Sequence, residues 1–195
     1  MRMSAAFSIF FLWPFAAEAA EITSSTTKFD LARCKIIEPA DENVYAGTWS
    51  CKGFGGVSIV QSSADDRSYA AFGADGMKHC AFRKTFGPFN TALSPIEWRS
   101  KKGKPFAAIE RWSVVEGGDG KSVTWLVVNA LRKSDSCHVH YVAGSFPDAN
   151  KAARRAADKL APGFDCANDV PTVDSKIGPP PIDLISCSEL IAQQQ

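Results

Sequence analysis

The run from Lys104 to Gly144 leaves the chain little choice of secondary structure. It reads as three consecutive antiparallel strands, roughly Pro105–Val115, Ser122–Arg132 and Ser136–Ala143. Gly117-Gly118-Asp119-Gly120 turns the first corner and Ser134-Asp135 the second, with residues that turns favour. In the middle strand Val123, Trp125, Val127 and Leu131 fall on one face, and Leu126, Val128 and Ala130 on the other. Apolar residues on both faces predict a central strand covered from both sides. The first strand sets Phe106, Ala108, Trp112 and Val114 against Ala107, Ile109, Arg111 and Val115, and leaves Glu110 on the Phe/Trp face, where it needs a partner or the sheet rim. The third strand separates Cys137, Val139 and Tyr141 from His138 and His140, so the two histidines are expected to point the same way.

The ends of the chain say where such a sheet would work. Arg2, the apolar stretch Ala5–Phe15, Pro14 and the small-x-small sequence Ala17-Glu18-Ala19 follow the order of a secretory signal, with cleavage expected after Ala19. All six cysteines, Cys34, Cys51, Cys80, Cys137, Cys166 and Cys187, lie beyond that point. An even number behind a signal segment predicts three disulfides in an oxidising compartment, periplasmic or extracellular. No Cys-x-x-Cys pair is present, so the spacing of structural zinc sites is missing. Six cysteines permit 15 pairings. We expect Cys34–Cys51 and Cys137–Cys166, which leaves Cys80 for Cys187. The expected organisation is a signal peptide at 1–19, a flexible Ser/Thr-rich leader at 20–28, one folded domain at 29–167 and a Pro-rich tail at 168–195.

Within the domain, Phe29–Ile37 is either a short helix or an entry strand. Val44–Cys51, Val57–Ser62 and Arg67–Phe72 read as a second meander, turned by Lys52–Gly56 and by Ala64-Asp65-Asp66. His79–Phe86 reads as a short strand, Gly87–Pro95 as an irregular loop rich in aromatic and turn residues, and Ile96–Arg99 as a strand. Lys101–Lys104 forms a basic hairpin tip. Ala149, Ala152, Ala153, Ala156, Ala157, Leu160 and Phe164 recur at helical spacing, with Asp148 as the expected N-cap and Pro162-Gly163 as the stop. An alanine stripe lets a helix lie close against a sheet. Cys166 follows, placed to pin the helix end. Ser186-Cys187-Ser188-Glu189 resembles a capping box opening a last short helix. Together these readings predict an α+β fold: antiparallel β-sheet meanders of about seven strands, one long C-terminal amphipathic helix packed on the sheet, and disulfide staples.

Composition narrows the function. The net charge of +1 gives no basis for nucleic-acid binding. No apolar run in the mature part is long enough to span a bilayer. Gly-x-Ser-x-Gly, His-Glu-x-x-His and the dinucleotide fingerprint are all missing, and the Gly53–Gly56 turn lacks the Lys-Ser pair and helix of a phosphate loop. Glu97 and Glu110 would make a carboxylate pair for glycoside chemistry only if their strands brought them together. His79, His138 and His140 would make a zinc or copper site only if the Cys80 and Cys137 segments were neighbours. No cofactor is implied. What remains is a stiff exported sheet that meets a protein or envelope component through loops Gly53–Gly56 and Gly87–Ser94, with Phe54, Phe86, Phe89 and Asn90 as candidate contacts, although Phe86 and Phe89 read first as satellite core under their loop and only second as an exposed patch; the alternative function is an enzyme or metal-binding protein without a local motif.

The Trp49-Ser50-Cys51 start, the Gly53-Phe54-Gly55-Gly56 turn, the Phe86-Gly87-Pro88-Phe89-Asn90 loop and the Ala-rich helix closing on Cys166 resemble uncharacterised exported proteins of alphaproteobacteria. That resemblance implies export and no activity. Size, sheet and cysteines are also broadly similar to periplasmic lysozyme inhibitors, at the level of fold alone, without an inhibitor loop motif.

Overall fold

The computed structural model describes residues 21–41, 46–116 and 120–195. The signal-like segment at 1–19, the first residues of the strand expected from Val44 and the Gly117-Gly118-Asp119 part of the first corner lie outside the described residues. Ten strands occur among the described residues: β1 (Ile22–Thr27), β2 (Lys35–Asp41), β3 (Ala46–Cys51), β4 (Ile59–Ala64), β5 (Arg67–Phe72), β6 (Asn90–Lys101), β7 (Lys104–Glu116), β8 (Lys121–Leu131), β9 (Ser136–Ala143) and β10 (Thr172–Asp174). They form a six-stranded sheet in the order β1-β6-β7-β8-β9-β10 and a four-stranded meander β2-β3-β4-β5. Every pairing is antiparallel except β9 with β10.

The β7–β8 pair is the centre, and its register places Trp112 opposite Trp125 and Ala108 opposite Asn129. One face of the large sheet carries Ala107, Ile109, Leu126, Val128 and Ala130, packed against Ala152, Ala153 and Ala157 of helix α1 (Ala149–Leu160). The other face meets the small sheet: Ile96, Trp98 and Ala108 pack on Cys51, Ile59 and Phe72, with Phe72 edge-on to Trp98 at 5.6 Å between ring centroids. Farther along that face Trp112, Val114, Trp125, Val127 and Tyr141 surround Phe86. The expectation of a strand covered on both sides is therefore met at β8.

The expected long C-terminal helix is not formed. The fold is mostly β, with α1 only 12 residues long and a seven-residue helix, α2 (Cys187–Gln193), near the end. Pro162-Gly163 turns α1 into a 3-10 turn at Ala161–Gly163, and the backbone becomes extended at Phe164, which still packs on the helix–sheet core. Asp148 stands at the N-cap position with φ 52° and makes no side-chain cap, whereas Ser186 does cap α2, its Oγ accepting from Glu189 N at 3.2 Å. The Ser/Thr-rich leader is ordered as edge strand β1 against β6, with Trp98 Nε1 donating to Thr27 Oγ1 at 2.9 Å. Phe29–Ile37 holds both alternatives, a 3-10 turn at Leu31–Arg33 and the start of β2. His79–Phe86 is not a strand: Cys80 N donates to Asp135 Oδ1 at 2.8 Å, and 3-10 turns occupy Gly76–Lys78 and Ala81–Arg83. The loop expected to Pro95 instead enters β6 at Asn90, and the register slips between Leu93 and Glu97, where Pro95 has no N–H for the ladder.

A second slip decides the histidines. His140 pairs with Val128 and His138 with Asn129, so Val139 is an extra residue in β9. A bulge of this kind reverses the alternation beyond it. His138 and Tyr141 therefore share one face and His140 takes the other, contrary to the two-residue rule applied to an unbroken strand.

The disulfides are Cys34–Cys51, Cys80–Cys187 and Cys137–Cys166, the pairing expected above. They attach β2's approach to β3, the tail to the body and the end of α1 to β9. Close helix–sheet contact depends on small side chains, so Ala153→Leu, at a position with no exposure, is expected to cost about 1–3 kcal/mol. Urea unfolding checks this, with the exposed Arg155→Leu as a control that should change stability by less than about 0.5 kcal/mol.

Candidate functional site

The Gly87–Ser94 segment is built around one buried amide. Asn90 Nδ2 donates to Phe86 O at 2.9 Å, to Pro88 O at 2.8 Å and to Thr85 Oγ1 at 3.2 Å, while Oδ1 accepts from Ser68 N at 3.1 Å. Backbone bonds continue the clamp: Asn90 N to Asp66 O at 3.0 Å, Val115 N to Phe89 O at 2.9 Å and Gly87 N to Pro181 O at 2.8 Å. Asp66 can serve because the β4–β5 turn places Asp65 and Asp66 at φ 52° and 53°, the positive-φ pair of a two-residue hairpin. Asp and Asn tolerate that region better than most residues.

The four candidate contact residues separate on this frame. Phe86 has no exposure and lies 5.4 Å from Trp112, 6.1 Å from Tyr141 and 6.5 Å from Trp125 by ring centroids. Asn90 is buried as the clamp itself. Phe54 leans on Trp98 at 6.4 Å, and a Cβ at Gly53 would come within 2.9 Å of the same ring, so the Gly53–Gly56 loop is fastened to the core. Phe89 alone among the four projects outward, 51% exposed. It rims a cleft of about 370 Å³ whose walls come from β4, the β4–β5 turn, the start of β6, the end of β7 and the start of β8. Gln61, Ser63 and Ser113 line it and were not singled out from the sequence. The signal was the polar run Gln61-Ser62-Ser63, which puts hydrophilic side chains on a strand face turned toward the other sheet.

Behind Gln61 lies an unusual interior. Glu110 is fully buried between the sheets; its carboxyl oxygens, Gln61 Nε2 and Trp112 Nε1 all fall short of full hydrogen-bond geometry, but the Gln61 and Trp112 side chains lie against the carboxyl as its polar neighbours. Burial pushes the Glu110 carboxyl up to about 7, partly offset by the nearby Trp112 and Gln61 side chains. Glu97 is on the opposite face, bound by Arg154 Nε at 2.6 Å and Ser24 Oγ at 2.6 Å, so no carboxylate pair forms.

The three histidines are all buried and are not brought together. His79 Nδ1 bonds Ser136 Oγ at 3.1 Å, His138 Nδ1 shares a 2.8 Å bond with Tyr141 OH, and His140 Nδ1 bonds Thr172 Oγ1 at 2.7 Å. Among the described residues no group of three or more His, Cys, Asp or Glu is placed to hold a metal ion. Burial, assisted by the Lys84 charge, drives His138 down to about 3. Lys84 itself, drawn down to about 8 by burial against the opposing charges of Asp183 and Glu189, donates to Ile185 O at 2.6 Å and fastens the tail. No helix among the described residues is long and apolar enough to cross a membrane. Comparison with protein-family models, curated proteins and solved structures finds no match.

Two outcomes follow for urea unfolding. Phe86→Ala is expected to cost about 3–5 kcal/mol, Asn90→Ala about 1–3 kcal/mol through stranded backbone groups, and Phe89→Ala less than about 0.5 kcal/mol. The second concerns pH. A carboxyl with a raised folded pKa holds its proton more tightly in the native state, so Glu110 contributes a stability that is full below its ordinary value of 4.5 and is lost as pH rises toward about 7. The stability of Glu110→Gln relative to wild type should therefore grow by about 3 kcal/mol over that window. His138 acts in the opposite sense, withdrawing stability as pH falls below its ordinary 6.5, but it is common to both proteins and cancels in the difference. A constant difference across the window would show Glu110 to be ionised and paired.

Proposed function

We propose that this chain is an exported, non-catalytic binding protein that meets a protein or envelope component at the Phe89 corner. The observation that carries the reading is a half-exposed aromatic ring on a mount fixed by Asn90 and three backbone hydrogen bonds. A side chain carried on a backbone pre-ordered in this way costs less conformational entropy on binding than one on a mobile loop, and aromatic anchors dominate interface energetics. Export is supported by the signal-like order of residues 1–19 and by three disulfides, which fit an oxidising compartment.

The mass of the chain recovered from periplasm or medium is expected to begin at Ala20 and to be six hydrogens lighter than the reduced form. A chain retaining residues 1–19 with free thiols would contradict export. Immobilised wild-type protein should retain a component of the envelope fraction that Phe89→Asp releases. Equal retention by both proteins would remove the Phe89 corner from the interface.

A further inference from the structure

The cleft beside Phe89 has a chemistry of its own. β1 pairs only with Ile96–Lys101 of β6, so the Asn90–Leu93 stretch has β7 on one side and the β4–β5 hairpin, rather than another strand of its sheet, on the other. The cleft opens there, and its volume of about 370 Å³ falls at the small-molecule end of binding sites. Its walls present the hydroxyls of Ser63, Thr91, Ser113 and Ser122, none of which is engaged in a side-chain hydrogen bond among the described residues. Each is both donor and acceptor. Gln61 stands at the inner wall, 4% exposed, with its amide beside the buried Glu110 carboxyl, so the serine and threonine hydroxyls are the polar groups left for a ligand. Among the described lining residues none is Lys, Arg or His, and the one ionisable side chain is the exposed Asp66. An anion entering the cleft would meet no countercharge and one carboxylate, an unfavourable exchange for its hydration. A neutral ligand rich in hydroxyls would meet complementary donors and acceptors, with the face of Phe89 available to its C–H surface.

We propose that this cleft binds a neutral saccharide of one or two rings, with Phe89 as the stacking platform and the serine and threonine hydroxyls as the polar contacts. The proposal rests on the reading of the Phe89 corner as a binding surface and gives that surface a ligand class. An anionic sugar is disfavoured by the absence of a basic side chain in the described lining, and a purely apolar ligand by four free hydroxyls.

The test is backbone-amide NMR of the isotope-labelled, disulfide-intact mature protein titrated with D-glucose, N-acetyl-D-glucosamine and maltose, and with glucose 6-phosphate as the charged comparator. At least one neutral sugar should give saturable shifts centred on Ser63, Phe89, Thr91 and Ser113. Glucose 6-phosphate should bind about tenfold more weakly or less. Phe89→Ala should weaken binding about fivefold while leaving the rest of the spectrum in place, and Ser63→Leu should abolish it by filling the cleft. Absence of saturable shifts with all three neutral sugars, shifts centred elsewhere, or tighter binding of glucose 6-phosphate would overturn the proposal. If the sugars fail while Phe89→Asp still releases the captured envelope component, the ligand class is wrong and the corner stands. If both fail, the corner falls with it.

Discussion

Trp112 facing Trp125 across the β7–β8 ladder is the contact on which the remaining structure is assembled. Both rings are fully buried, and burying a large apolar side chain stabilises by about 1.5–3 kcal/mol. Phe86 reaches them from the Thr85–Asn90 loop, so the loop that carries the candidate contact surface is anchored in the same cluster as the central strands. The small sheet packs on one face of this pair and the alanine face of α1 on the other. The disulfides then fasten elements that the core alone holds at their edges: the approach to β3, the end of α1 and the C-terminal tail.

A second feature is the polarity placed inside that frame. Glu110, His138 and Lys84 are all shifted toward their neutral forms by burial, the lysine also holding the tail through Ile185 O. Neutralising such groups limits the cost of burying them, and a satisfied polar interior can favour one packing over another. That satisfaction is incomplete: among the described residues Glu110, Trp125 Nε1, Asn129 Oδ1 and the Nε2 atoms of all three histidines make no side-chain hydrogen bond of full geometry, and Gln61, the neighbour of Glu110, lines the Phe89 cleft. The Asn90 clamp shows the opposite economy, one amide satisfying three backbone groups and a threonine hydroxyl.

Residue by residue, the central meander was legible because its alternation is regular and its turns carry turn chemistry. The edge strand β1 was not, because Ser and Thr on an exposed strand read like a solvated leader until β6 is present to pair with them. The start of β6 was hidden by Pro88, Asn90 and Pro95, which signal a loop although Asn90 acts as a fixed clamp. The stop at Pro162-Gly163 was legible, but the weight of helix in the fold was overread, because α1 has only 12 residues and the strands β1 and β10 were not counted from the sequence. The shared face of His138 and His140 failed at a single inserted residue, Val139, and local spacing gives no warning of a bulge. At the site, Phe89 was visible as an aromatic in a turn-rich loop, but its exposure and the burial of Phe86 depend on contacts with β7 and β8 that lie far away in sequence.

Phe89 stands on a rigid mount rather than on a mobile loop. Amide hydrogen exchange on the disulfide-intact protein measures this directly at Gly87, Asn90 and Val115, whose N–H groups bond Pro181 O, Asp66 O and Phe89 O. Protection approaching that of the β7–β8 core amides is the expected result, since these bonds open only with larger unfolding. Exchange at the rate of an unstructured loop would contradict the rigid mount, and with it the case for Phe89 as a pre-ordered contact.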